Sequence, residues 1–259
     1  MEITEEMLNG WVQLYFWPFL RIGALVMTAP LFNSQAVAPR ARLMLALTLT
    51  LVLAPLLPKL PPLPAFGAAW WLAIGREFVI GAGLGLMLQL VFEAVMLAGE
   101  LVSYGMGLGF AQLADPLHGA AAPMLGQFYQ ICAILLFLSL GGHLRLVELL
   151  SDSFHAAPLG GAAPPASSLF AVAQLGTLCF AGALRIALPA VIALLLVNLS
   201  FGVMNRSAPA LNALSIGFPL SLIVGLVVLR FTLPQLQTAL ADLLDQAWNY
   251  AAGWAGGLH

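Results

Sequence analysis

The apolar positions of the chain gather into six long segments: Trp11 to Leu31, Leu43 to Leu57, Trp70 to Leu101, Met124 to Val147, Phe170 to Val203 and Leu211 to Leu233. Several approach or exceed the roughly 18 to 20 apolar residues that carry a helix across a bilayer. The second is shorter than that and the third and fifth are longer, so uneven, bent or tilted spans are expected. Beyond the sixth, the stretch "LPQLQTALADLLDQAWNYAAGW" changes pattern. Leu233, Leu236, Leu240, Leu243, Leu244 and Trp248 recur at helical spacing opposite Gln235, Gln237, Asp242 and Asp245, which predicts a C-terminal amphipathic helix. Its polar face carries no Lys or Arg, so it suits protein better than anionic lipid, either a partner or its own chain folded back.

Two linkers break the apolar pattern. "PKLPPLPAFG" and "HAAPLGGAAPPASS" are rich in residues that cannot continue a helix, and the second, around Ala156 to Ser168, is the best internal boundary. The fifth segment contains Arg185, Pro189 and Asn198; a kink near Pro189 is expected, because a straight helix there would bury a charge and lose a backbone hydrogen bond.

Composition narrows the class. Of 259 residues, 61% are hydrophobic and 8% charged, and the mean hydropathy is +0.98; soluble domains carry roughly 25% charge. The fold class expected is an all-α, polytopic membrane-type protein with about six bent or kinked hydrophobic helices plus the C-terminal amphipathic one. The opening "MEITEEML" lacks a basic n-region and a small-residue cleavage site, so internal segments are expected to direct insertion. A net charge of -2 offers no basic patch for nucleic acid and no polybasic lipid-binding cluster. Cys132 and Cys179 sit within apolar runs, where cysteine acts as a small hydrophobe; no disulfide framework, metal or cofactor is expected. Positive charges divide too evenly between alternate loops to set an orientation.

The charges inside apolar segments need partners. Gln89, Glu93 and Glu100 share one face of the third segment, which should look onto protein or water. That face suits a subunit interface or paired carboxylates, and alternatively a proton or cation path in a secondary transporter, with Arg185 joining Glu93 and Glu100 in an intramembrane relay. Arg21, Arg76, Glu77, Arg185 and Arg230 read mostly as inter-helix pairs. Arg76 and Glu77 are neighbours about 100° apart on a helix, so each is expected to have its own partner. Enzyme signatures are weak. His143, Glu148, Asp152 and His155 do not form a metal-binding set on one helix face, and His143, after Gly141 and Gly142, reads as a group near a helix end rather than a catalyst.

Glycines supply the last signal. Gly81 and Gly85 have the spacing that lets two helix backbones approach closely. In "YGMGLGFAQLADP" Gly105 and Gly109 repeat that spacing, but Asp115, Pro116, His118, Gly119 and Pro123 follow and favour an interrupted backbone. Such backbone survives at membrane depth only where protein or a water-filled cavity satisfies it.

The stretches "VAPRARLMLALTLTLVLAPLLP", "GFAQLADPLHGAAAPMLGQFYQICAILLFLSLGGHLRLVELLSDSFHAAPLG" and "RIALPAVIALLLVNLSFGVMNRSAPALNALSIGFPLSLIVGL" resemble, in order and over nearly the whole chain, the FliR family of flagellar type III export-gate proteins, related to SctT of virulence systems. The Gly-Gly-His and Asn-Arg-Ser-Ala-Pro-Ala-Leu-Asn segments, the latter containing Arg206, are the most specific parts. The resemblance implies a non-enzymatic inner-membrane subunit at the flagellar basal body, which joins FliP and FliQ in a pore for unfolded flagellar substrates, near FlhB and FlhA. It implies a FliP-like part over 1–160 and a FliQ-like hairpin over 161–259. It also implies a loop at about 104–123 that plugs the closed pore, mapping to Gly105, Met106, Gly107, Leu108, Gly109, Phe110, Ala111, Asp115 and Pro116.

Overall fold

Within lipid every backbone amide must be satisfied inside the protein, and a helix does this within one segment. The computed structural model follows that rule. It describes residues 5–32, 37–57, 67–109, 124–158, 166–207 and 213–256. Among them are α1 (Glu5–Thr28), α2 (Pro39–Leu53) prolonged by a 3-10 turn (Ala54–Leu56), α3 (Ala68–Gly105), α4 (Met124–Ser139), α5 (Gly142–Ala156), α6 (Ala166–Ser207) and α7 (Ala213–Gly256), with no strand among the described residues. Pro39–Leu56, Ala68–Gly105, Gln174–Met204 and Gly217–Trp254 are long and apolar enough to cross a membrane, and α4 with α5 would together make a fifth, broken span. The fold is all-α and polytopic.

Two expectations change in detail. The fourth apolar segment is two helices, not one, because the chain turns at Leu140 and Gly141, where Gly141 takes φ +72° and stands as the N-cap of α5. That left-handed conformation costs an L-residue with a side chain roughly 1 to 2 kcal/mol, which glycine avoids. The sixth segment and the amphipathic stretch are a single helix, α7, which continues through Pro219 and Pro234. The apolar face of that stretch folds back on its own chain: Leu236, Leu240, Leu243, Leu244 and Trp248 are all buried. Helix α6 likewise runs on through Pro189.

The chain forms two compact units. One comprises residues 1–90, 141–176 and 244–259; the other comprises 91–140 and 177–243. In the first, α2 packs on α1, and α1 runs parallel to the first half of α3. They approach closely at Gly81 and Gly85. A Cβ at Gly81 would collide with the Arg21 carbonyl oxygen, and one at Gly85 with Thr28 Oγ1, so the Gly-x-x-x-Gly spacing does serve helix contact. At the start of these helices Phe16 stacks on Trp70, ring centroids 5.8 Å apart, with Trp17 edge-on to both.

In the second unit α4 returns antiparallel to the end of α3. Gly99 faces Gly126, where an added Cβ would stand 2.9 Å from the opposite Cα, and Phe92 meets Phe137 edge-on at 5.5 Å. Helices α6 and α7 pair antiparallel, with Gly182 against Leu243 and Asn198 against Ser221. Only 17% of each of their candidate spans is buried within the chain, against 56% for α3. Phe180, Leu184, Leu195, Leu196, Leu199, Ile223, Leu226 and Phe231 stand exposed.

Candidate functional site

Helix α3 ends in a closed cap. Gly107 has φ +80°, the Gly107 amide donates to the Tyr104 carbonyl at 3.0 Å, and the Leu108 amide donates to the Ser103 carbonyl at 3.1 Å. This is the paired bonding of a Schellman motif with glycine at its left-handed position, which satisfies carbonyls that a helix end otherwise leaves open. The next carbonyl, Gly105, accepts 3.2 Å from Asn198 Nδ2 of α6, and Asn198 Oδ1 accepts in turn from Ser221 Oγ of α7 at 3.1 Å.

Met106 is 1% exposed and fills a notch at Gly225, where an added Cβ would lie 2.5 Å from its Cγ and Cε. Gly105 rests on Leu194 of α6, and Gly109 lies beside the Tyr104 ring. Gly105, Met106, Gly107, Leu108 and Gly109 are therefore placed at a packed helix end. Phe110, Ala111, Asp115 and Pro116 lie outside the described residues.

A second cluster joins α1, α3 and α5. Arg21 is 0% exposed. Its Nε donates to Glu77 Oε2 at 2.7 Å, Nη1 to the Ser153 carbonyl at 2.7 Å and Nη2 to the Ala157 carbonyl at 2.9 Å, while its guanidinium lies 4.1 Å over the Phe154 ring. Arg76 Nη1 donates to Glu77 Oε1 at 3.2 Å and to the Pro158 carbonyl at 2.8 Å. Two cations thus hold one buried carboxylate and carbonyls at the C-terminal end of α5, where the helix dipole favours positive charge. Arg76 and Glu77 do have separate partners, Glu77 in Arg21 and Arg76 in the Pro158 carbonyl, and they also pair with each other at 3.2 Å. No sequence spacing links residues 21, 77 and 153–158; the signal available was that a charge buried in an apolar helix requires an opposite one.

The remaining candidates are dispersed. Gln89, Glu93 and Glu100 are all half-buried, and Glu100 Cγ lies against Gly126 of α4, 3.0 Å from where a Cβ there would stand, so that part of the face looks onto protein. Arg185 is exposed rather than buried in α6; its Nη2 stands 3.8 Å from Asp242 Oδ2, the two side chains 74% and 56% exposed. The carboxylate facing Arg185 is thus Asp242 of α7, not Glu93 or Glu100 of the supposed relay. His143 is exposed in the first turn of α5, whose N-cap is Gly141, and Arg206 is exposed in the last turn of α6. Among the described residues no three His, Cys, Asp or Glu side chains gather as metal ligands.

A polytopic all-α chain whose polar groups serve helix ends and helix pairs is a helical membrane protein in architecture. Residues 12–247 match the model of a family described as bacterial export proteins, family 1. The chain is 39% identical to the flagellar biosynthetic protein FliR of Escherichia coli K12, over 97% of this chain and 96% of that one. It is 41% identical to FliR of Pectobacterium carotovorum, over 95% and 94%, and 30% identical to FliR of Bacillus subtilis, over 82% of each. The chain belongs to the FliR family of bacterial export proteins.

Proposed function

We propose that this chain is a subunit of the flagellar type III secretion export gate in the bacterial inner membrane. It assembles there with FliP and FliQ into the pore, beside FlhA and FlhB, and unfolded flagellar subunits pass through. It performs no chemistry of its own. The observation that carries this reading is the α6–α7 pair: spans buried to only 17% within their own chain, in a protein of an export family, present long apolar faces to neighbouring helices. The part over 161–259 supplies those faces as a FliQ-like hairpin, and 1–160 is the FliP-like part.

The plug is the segment at the end of α3, from Gly105 to Pro116, of which Phe110 onward lies outside the described residues. Deleting residues 110–116 is expected to leave the assembled pore leaky to ions, measured as conductance of vesicles or as salt sensitivity of cells. Unchanged permeability in a normally assembled particle removes the plug assignment while leaving the assembly intact.

A further inference from the structure

The α6–α7 pair is longer than a bilayer requires. Its candidate spans, Gln174–Met204 and Gly217–Trp254, have 31 and 38 residues, which at the helical rise is roughly 46 and 57 Å against a hydrocarbon core of about 30 Å. Charge marks where the surplus begins. Between Arg185 and Arg206 α6 carries no charged residue, a stretch of about 30 Å. From Ala213 to Leu233, α7 carries one, Arg230, whose long stem reaches outward from the last turn of that stretch. Arg185 and the polar residues that follow Leu233 therefore stand at the level of lipid headgroups. There the two helices enclose a cavity of about 270 Å³, whose polar lining is Arg185, Thr232, Gln235, Thr238 and Asp242. Sites that enclose a whole ligand run from roughly 300 to 1,000 Å³, so this one suits a headgroup.

Arg185 Nη2 and Asp242 Oδ2 stand 3.8 Å apart with both side chains more than half exposed. That is longer than a hydrogen bond, so the pair is spread rather than closed. A guanidinium has five N–H donors and a carboxylate about four lone-pair sites, and each has capacity for a ligand besides its present bonds. Toward the apolar ends, at steps of three, four and seven residues along the same faces, Leu188 and Ile192 on α6 and Phe231 and Val227 on α7 are all exposed. A cation and an anion at one end of an apolar track match an amphipath that carries both charges. We propose that this cavity binds the headgroup of a zwitterionic phospholipid, with its phosphate on Arg185, its ammonium on Asp242 and its acyl chains along the track. The polar face of α7 has no cation of its own, and Arg185 of α6 supplies it. An anionic lipid meets Asp242 as well as Arg185 and fits less well. The inference goes beyond the gate reading, since it gives the α6–α7 pair one edge covered by lipid beside those covered by partner helices.

The test is lipid retention by the full chain, coexpressed with FliP and FliQ of the same genome and extracted in mild detergent. The particle is stripped of lipid and titrated with phosphatidylethanolamine or phosphatidylglycerol, and bound lipid is counted by native mass measurement as the difference between wild type and variant. Arg185→Gln is expected to lose one phosphatidylethanolamine per copy of this chain, and Arg185→Lys, which keeps the cation, to retain it. Asp242→Asn is expected to lower the preference for phosphatidylethanolamine over phosphatidylglycerol at that site from several-fold to about one. Equal counts in wild type and Arg185→Gln, or a wild-type site that takes phosphatidylglycerol as readily, overturns the proposal.

A protein occupant has its own signature: release of FliP or FliQ by Arg185→Gln or Asp242→Asn assigns the cavity to a subunit contact and also overturns the lipid site. Should Arg185→Gln lower accumulation, Asp242→Asn answers alone, because the headgroup preference is read on the particles that form and must fall. Failure of the gate proposal is separate. A chain that emerges as a monomer or homodimer is titrated in the same way, and its preference for phosphatidylethanolamine either depends on Asp242 or contradicts the site.

Discussion

Glu77 is the residue on which two guanidinium groups converge, with its side chain and that of Arg21 fully buried. Removing one partner of such a cluster leaves uncompensated charge in a medium that cannot solvate it, and costs about 3 to 5 kcal/mol. Glu77→Gln is therefore expected to lower the thermal midpoint of the detergent-extracted protein by many degrees, whereas Glu148→Gln, at an exposed position on α5, leaves it within experimental error. Equal midpoints for the two variants would show that the cluster contributes little. The need for such a cluster was legible, since Arg21, Arg76 and Glu77 stand in apolar runs. Its membership was not, because the acceptors at Ser153, Ala157 and Pro158 are backbone carbonyls, which have no residue-specific signature. Gly225 was equally silent in the sequence: nothing in "LIVGLVVL" tells a notch for Met106 from a lone helical glycine.

At the scale of elements, length and apolarity announced the helices but misplaced their ends. Pro189 marked an expected kink, and α6 continues as one helix through it, as α7 does through Pro219 and Pro234. Helices between apolar neighbours tolerate proline where adjacent groups re-satisfy the freed carbonyls. Among the described residues the break between α4 and α5 was unforeseen; it falls at Leu140 and Gly141, where Gly141 takes a left-handed φ.

Helix contact was readable where the glycine spacing was regular. Gly81 and Gly85 on α3 do meet α1, but Gly99 meets Gly126 across 27 residues of chain with no repeat to betray it. Gly85→Leu is expected to push α1 away from α3 and cost about 1 to 3 kcal/mol, as overpacking does. Gly75→Leu, at a position with open space around it, costs much less. The comparison is made by thermal unfolding of the two variants side by side, and a larger loss at Gly75 would contradict the α1–α3 contact.

At the scale of the whole molecule, the fold class was visible from the first count of apolar segments. Membership of the export family was carried by the order of motifs along nearly the full length, not by any one site. The second unit explains why a single chain looks unfinished: α6 and α7 expose Phe180, Leu199, Ile223 and Phe231, far more apolar surface than scattered single residues present. Lipid covers such a surface in an isolated span, and partner helices cover it in a pore. Coexpression with the FliP and FliQ of the same genome, mild detergent extraction and native mass measurement separates these most directly. The export-gate proposal predicts one particle that contains this chain together with several FliP and FliQ copies. A monomer or homodimer that leaves both partners unbound would contradict it.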